Sequence, residues 1–161
     1  MAIEFFQLLL LIIIANGAPV LARLLLNDRF NAAIDNGVML KDNHPVFGAS
    51  KTWRGVVTAL LATTAGALFF NYSAAIGIQI AICAISGDLL SSFIKRRLSL
   101  QPSARAPLLD QIPESLFPAL MMMQVFQLQL FAVVMLVVSF TLIDLVITHF
   151  LYRWRLLRKS R

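Results

Sequence analysis

From Pro113 to Tyr152 the chain is almost continuously apolar, and a run of that length makes either one overlong helix or a hairpin of two. A second run, about Phe5 to Leu26, is long enough at ~1.5 Å per residue to cross the hydrocarbon core of a bilayer. A third extends from about Ala74 to Ile94, and a shorter one from about Val56 to Phe70. Apolar residues blocked in this way do not suit water. Of the 161 residues 59% are hydrophobic and only 14% charged, with a mean hydropathy of +0.79. The expected fold is an all-α, polytopic membrane protein with a single integral-membrane domain over residues 1–161. Such a chain has no room for a separate soluble catalytic domain, so its chemistry must lie within the helices or their connecting loops.

Charge decides the number of spans. The 14 Lys and Arg outnumber the 8 Asp and Glu, leaving a net charge of +6. The cations fall in three blocks: Arg23 to Arg54, Lys95 to Arg105, and Arg153 to Arg161. A hairpin turning near Gln124, Gln127 and Gln129 puts all three blocks on one side, whereas a single long helix would export the last. The positive-inside rule then predicts five transmembrane helices in the cytoplasmic (inner) membrane. The N-terminus lies outside, the C-terminus in the cytoplasm, and the charged site faces the cytoplasm. Charge distributed by topology argues against nucleic acid as a partner, and no aromatic residues interleave with the cations as a stacking platform requires. The start Met-Ala-Ile-Glu lacks the basic region of a secretory signal, so the first run is expected to be retained. Cys83, the only cysteine, excludes an internal disulfide or a cysteine-cluster metal site.

Polar residues inside these runs are costly and therefore informative. The third run carries straight into Ser86-Gly87-Asp88-Leu89-Leu90-Ser91-Ser92-Phe93-Ile94-Lys95-Arg96-Arg97. At about 100° per residue, Asp88, Ser92 and Lys95 share nearly one helix face. Asp110 follows after a basic, Pro-containing loop. Two carboxylates with several cations suit a divalent metal holding a polyphosphate; the plainer alternative is that Asp88 pairs with Lys95 or Arg54 inside a bundle. Asp144, in the last span, is expected to pair with a polar group of the bundle, a role in the site being the lesser alternative, and Met121-Met122-Met123 to fill space.

The first run contains Asn16 and Pro19, which predict a kink, with the amide bonded to a neighbouring helix or opening space for a ligand. Asp35-Asn36-Gly37 marks a turn in the polar segment that follows, where His44 is expected to be a loop residue. Gly48-Ala49-Ser50-Lys51-Thr52 has the wrong first-glycine spacing for a P-loop, and no strand precedes it. Lys51 and Arg54 nevertheless sit one helical turn apart at the mouth of a membrane helix. Either they hold phosphate oxygens or, with Trp53, they anchor the helix at the interface. Ala, Thr and Gly in the second run permit close packing and a possible homodimer.

Five motifs occur in order: Ala15-Asn16-x-x-Pro19-Val20, Asp35-x-Gly37, Pro45-x-x-Gly48-x-x-Lys51-Thr52-Trp53-Arg54-Gly55, Gly87-Asp88-x-x-x-Ser92-Phe93-Ile94-Lys95-Arg96-Arg97-Leu98 and Pro107-Leu108-Leu109-Asp110-Gln111. The set resembles the CDP-archaeol synthases, small membrane cytidylyltransferases related to the CDP-diacylglycerol synthases. It spans about Ala15 to Leu120, and the tail after Phe126 matches poorly. The resemblance implies a Mg²⁺-dependent reaction, with two ions, in which a lipid phosphate attacks the α-phosphate of CTP, forms a CDP-lipid and releases pyrophosphate. CTP, lipid phosphate and membrane lipids are then the partners. Because the nucleophile is already an anion, catalysis reduces to positioning and charge neutralisation.

Carried over residue by residue, the resemblance makes Asp88, Asp110 and Lys95 catalytic, with Asp88, Asp110 and Glu114 on the metal. Lys51, Thr52, Arg54, Ser92, Arg96, Arg97, Asn16 and Gln111 become substrate or phosphate contacts. Asn31, Asp35 and His44 are candidates for reading the cytosine base. The family pattern Asp-Gln-x-Asp here reads Asp110-Gln111-Ile112-Pro113-Glu114, with proline at the second carboxylate and Glu114 one place later. Ser103 also replaces a usual glycine. A non-catalytic lipid-phosphate binder of the same fold is the alternative. A transporter would want polar residues along several spans rather than gathered at one face.

Overall fold

The computed structural model describes residues 2–27, 29–100 and 108–159, with side chains to residue 150. It is all-helical: α1 (Ala2–Leu26), α2 (Trp53–Phe69), α3 (Ala74–Arg97), α4 (Gln111–Met121) and α5 (Leu130–Lys159). Ser103, Arg105 and Pro107 lie outside the described residues. Consecutive helices pack against each other, and α1 also touches α3, α4 and α5, which closes the bundle.

The apolar run after Pro113 is a hairpin, as the glutamines indicated: the turn between α4 and α5 contains Gln124, Gln127 and Gln129. The expectation of five full spans changes. Among the described residues three helices are long and apolar enough to cross a membrane, Ala2–Leu26, Ala74–Arg97 and Leu130–Phe150. α2 has 17 residues and α4 only 11. At ~1.5 Å per residue α4 is about half as long as the hydrocarbon core is thick. Its start lies beside Gly87 in the second half of α3 rather than level with that helix's end.

Small residues set the closest approaches. A Cβ on Gly77 would fall 2.6 Å from Thr64 Cα, so α2 and α3 meet backbone to backbone. Gly66 faces Leu11 and Ile14 of α1 at similarly short range. Gly66 of the second run and Gly77 of the third are thus taken up in packing within the chain.

The apolar core gathers where the α2–α3 and α4–α5 turns lie. Leu8, Leu11, Ile12, Ile80, Met122, Phe126, Leu136 and Phe140 are fully buried there. Burying a side chain of this size contributes roughly 1.5–3 kcal/mol. Met122 of the methionine run is part of this packing, as expected. Tyr72 closes the same end, donating to Gln7 Oε1 at 2.7 Å and lying 4.8 Å from the Phe126 ring. Much of the remaining apolar surface, including Phe6, Leu21, Leu61, Phe69 and Phe131, faces outward, as lipid-facing helices require.

At the opposite end residues 29–52 fold back on the start of α2. Ile34 N–H donates to the Lys51 carbonyl at 2.8 Å and Trp53 N–H to the Ala32 carbonyl at 3.0 Å. The Asp35-Asn36-Gly37 turn forms as expected, with Asn36 at φ 46° and Gly37 at φ 76°. Asp35 then accepts from three amides: Gly37 at 3.1 Å, Phe47 at 2.9 Å and Gly48 at 2.7 Å. Partial burial pushes the Asp35 carboxyl up, but the amides of Gly48, Phe47 and Gly37 outweigh it and hold it below the usual carboxylate range.

Candidate active site

Four elements meet where α3 leaves the apolar core: the end of the α1–α2 loop, α3, the turn before α4, and α4 itself. Lys51 is carried on the last loop residue but one, fixed by the backbone pairing of its own carbonyl. Its Nζ lies 2.5 Å from Asp88 Oδ1. Asp88 is not paired with Lys95 or Arg54, as the plainer reading expected. Lys95 instead reaches across to the turn before α4, where its Nζ lies 2.6 Å from Asp110 Oδ1. The Lys95 side chain is only 7% exposed, so its charge sits in a setting where removing its partner would be costly.

Glu114 completes the group. A Cβ on Gly87 would fall 2.2 Å from the Pro113 carbonyl oxygen and 2.7 Å from Glu114 N, so only glycine lets α4 start here. That contact sets Glu114 beside Asp88, the residue after Gly87. Two carboxyl groups so close hold either a proton or a cation between them. Three carboxyls and two ammonium groups thus converge, with Ser92 one turn beyond Asp88 on α3. The Ser92 hydroxyl is buried and has no hydrogen-bond partner among the described residues. Such a group is available to a ligand.

Other expected phosphate contacts have structural partners. The buried Arg54 guanidinium donates to the carbonyls of Asn27 at 2.8 Å and Arg29 at 2.5 Å, capping the chain after α1. Arg97 forms a two-pronged contact with Asp42, at 2.8 and 2.7 Å, donates to the carbonyls of His44 and Pro45, and lies over the Phe93 ring. It fastens the loop to α3. Arg96 donates to the Leu100 carbonyl, and its stem passes 3.8 Å from where a Gly48 Cβ would stand. Thr52 is the N-cap of α2, its Oγ1 accepting from Gly55 N–H at 3.3 Å. Asn16 donates to the Ile12 carbonyl of its own helix at 3.0 Å, in place of the expected bond to a neighbouring helix.

Gln111 is held between the Leu108 amide and Asp144, each at 2.9 Å. Asp144 therefore has the polar bundle partner expected of it. Of the candidate base readers, Asp35 has its oxygens filled by backbone amides, and His44 Nε2 lies 3.1 Å from Ser99 Oγ. The structural work of Asp42, and the bonds by which Asp35 reaches past its own turn to Phe47 and Gly48, were not foreseen.

The donor set fits a hard divalent cation. All three acids offer oxygen, and Mg²⁺ takes one or two carboxylates when substrate phosphates complete its shell. Among the described residues no three His, Cys, Asp or Glu stand close enough together to hold a metal ion between them, so an ion here would draw the rest of its shell from substrate and water. Flanking ammonium groups and a free hydroxyl add phosphate contacts. The arrangement can neutralise a polyphosphate and orient it for displacement at phosphorus.

Comparison with known proteins places these features in context. A family model described as CDP-archaeol synthase matches residues 63–158, reaching well into the tail where the motifs matched poorly. The CDP-archaeol synthase of Hyperthermus butylicus is 43% identical over 106 residues, 61% of this chain and 59% of that protein. The chain thus spans less than two thirds of that relative's length. The CDP-archaeol synthase of Pyrococcus furiosus is 34% identical over 119 residues, 68% of either chain. A solved structure, described as an intramembrane enzyme for archaeal membrane lipids biosynthesis, superposes with a TM-score of 0.75 at 29% identity. The superposition covers 88% of this chain and 90% of that one.

Proposed function

Because this chain belongs to the CDP-archaeol synthase family, we propose that it is a membrane cytidylyltransferase that transfers CMP from CTP to a lipid phosphate. The observation that carries this reading is the meeting of Asp88, Glu114 and Asp110 with Lys51 and Lys95 at one end of the bundle. A non-catalytic binder would need the cations; it would not need three converging carboxyls.

In the reaction a lipid phosphate oxygen forms a bond to the α-phosphorus of CTP as the bond to the bridging oxygen of pyrophosphate breaks. No proton must be removed from the nucleophile, so no general base is required. Lys51 and Lys95 hold triphosphate oxygens as point charges, giving up their carboxylate partners Asp88 and Asp110 to do so. Ser92 donates its free hydroxyl to a phosphate oxygen. Asp88, Glu114 and Asp110 would hold Mg²⁺, as one or two ions, which supplies neutralisation of charge on the phosphates. Arg96 lies close enough to the Gly48 turn to serve either the phosphates or the loop.

The positive-inside rule supports five passes, with the N-terminus outside and both the C-terminus and the site at the cytoplasmic face. In that arrangement α4 makes the fourth crossing from the depth of Gly87.

The test is pyrophosphate release from CTP by the purified protein with Mg²⁺, offering phosphatidic acid and an archaeal-type ether lipid phosphate in parallel. Release that requires lipid and is lost in Asp88→Asn and Asp110→Asn is the expected result. Full activity in both variants would overturn the assignment.

A further inference from the structure

The carboxyl of Asp144 lies within the apolar stretch Leu130–Phe150 of α5, where mean hydropathy is 2.8. An acid in such a helix is expensive and calls for a reason. Its Oδ2 accepts from Gln111 Nε2 at 2.9 Å. The same amide accepts, through Oε1, from Leu108 N–H at 2.9 Å. An amide side chain can satisfy both partners in only one orientation, because a carboxylate only accepts and a backbone N–H only donates. Asp144 therefore decides which way Gln111 points.

That orientation has a local consequence. Leu108 has φ +71°, a left-handed conformation that costs a branched side chain energy and that the surroundings must hold. The Gln111 oxygen holds it from one side. From the other, Ser115 Oγ donates to the Gln111 carbonyl at 2.7 Å and locks the first turn of α4. Gln111 itself is only 7% exposed. Between the two fixed points, Leu108 and Gln111, stands Asp110 with Lys95 against it. Asp110 makes no capping bond to α4, so its side chain is not placed by the helix it precedes.

We propose that Asp144 is a positioning residue which, through Gln111, fixes the turn that presents Asp110 to the metal–triphosphate. The role assigned to Asp110 rests on the function proposed above; the link from Asp144 to the turn does not.

The experiment compares wild type with Asp144→Ala, Asp144→Asn, Gln111→Ala and the double variant Asp144→Ala/Gln111→Ala, all in lipid nanodiscs. Removing a carboxyl from an apolar helix does not endanger insertion. Hydrogen exchange over residues 108–112 is read without nucleotide, metal or lipid. Pyrophosphate release is read against Mg²⁺ and against each substrate. Asp144→Ala should speed exchange in this turn and raise the half-saturating Mg²⁺ concentration about 10-fold, the usual scale for losing a partner behind a ligand. The KM for lipid phosphate should stay unchanged. Asp144→Asn keeps an acceptor and should restore most of the loss. The double variant should be no worse than Gln111→Ala alone.

A purely structural role would leave the Mg²⁺ dependence where it is. Unaltered exchange in Asp144→Ala, or a double variant whose loss is the product of the single losses, would overturn the proposal. If wild type itself releases no pyrophosphate, the proposed function fails; faster exchange in Asp144→Ala then still supports the link and unaltered exchange still overturns it.

Discussion

Gly87 and Pro113 touch backbone to backbone: a Cβ on Gly87 would overlap the Pro113 carbonyl oxygen at 2.2 Å. This one crossing sets the depth at which α4 begins and brings Glu114 to Asp88. It also gives Pro113 and Glu114 separate tasks. Proline has no N–H to leave unsatisfied in a first helical turn, and the carboxyl one place later is the one that reaches α3.

Gly87→Ala should therefore disable the site without touching a charged residue. Overpacking of this kind costs about 1–3 kcal/mol, and here the obstacle is backbone that cannot rotate away. Thermal unfolding should show the loss. Gly55→Ala, where the added methyl would meet Pro19 and Thr52 at 3.5 Å, should be tolerated. Equal melting temperatures for the two variants would contradict this account of the α3–α4 crossing.

Glu114→Gln should lower kcat by roughly 10²-fold, the scale for removing one electrostatic contact from a site that stabilises developing charge. It should also weaken Mn²⁺ binding measured by electron paramagnetic resonance with CTP present. Wild-type kinetics and unchanged Mn²⁺ binding in this variant would leave Asp88 and Asp110 as the complete acidic set.

The cations should separate into two groups. Lys51→Met and Lys95→Met remove charges from the site and should raise the KM for CTP or lower kcat at least 10-fold. Arg54→Ala and Arg97→Ala break the contacts to Asn27, Arg29, Asp42, His44 and Pro45. They should lower the melting temperature first. Losing one hydrogen-bonded charge is worth about 1.5–3 kcal/mol. A nucleotide titration beside a melting curve for each variant distinguishes the groups.

Asp35 should give the loop an acid-sensitive component of stability. Its folded-state pKa lies below the unfolded value, which is ordinarily about 3.9. The stabilisation is therefore complete above that value and is lost as pH falls through the folded-state pKa. In Asp35→Asn the step should vanish and loop stability should already be reduced at pH 7. Limited proteolysis between residues 36 and 47, followed from pH 7 to below pH 4, would detect it. A wild-type loop equally protected throughout would refute this role for Asp35.

Much of the molecule was legible in the chain because bilayer crossing and helix periodicity are local properties. Apolar run length located α1, α3 and α5, the three glutamines located the hairpin turn, and Asp35-Asn36-Gly37 located its own turn. The start of α4 was less legible. Hydropathy counts apolar residues; it does not register where a neighbouring backbone compels a helix to begin.

Residue type and spacing determined that an acid and a base would share one face of α3, and that Asp110 would follow after a loop. Only the tertiary structure decided the pairing: Lys51 with Asp88, Lys95 with Asp110, Glu114 beside Asp88, and Asp144 behind Gln111. The physical reason is geometric. A charge finds its partner across the gap between helices, and that gap is set by where Gly77 and Gly87 let backbones meet, at a sequence distance no local pattern spans.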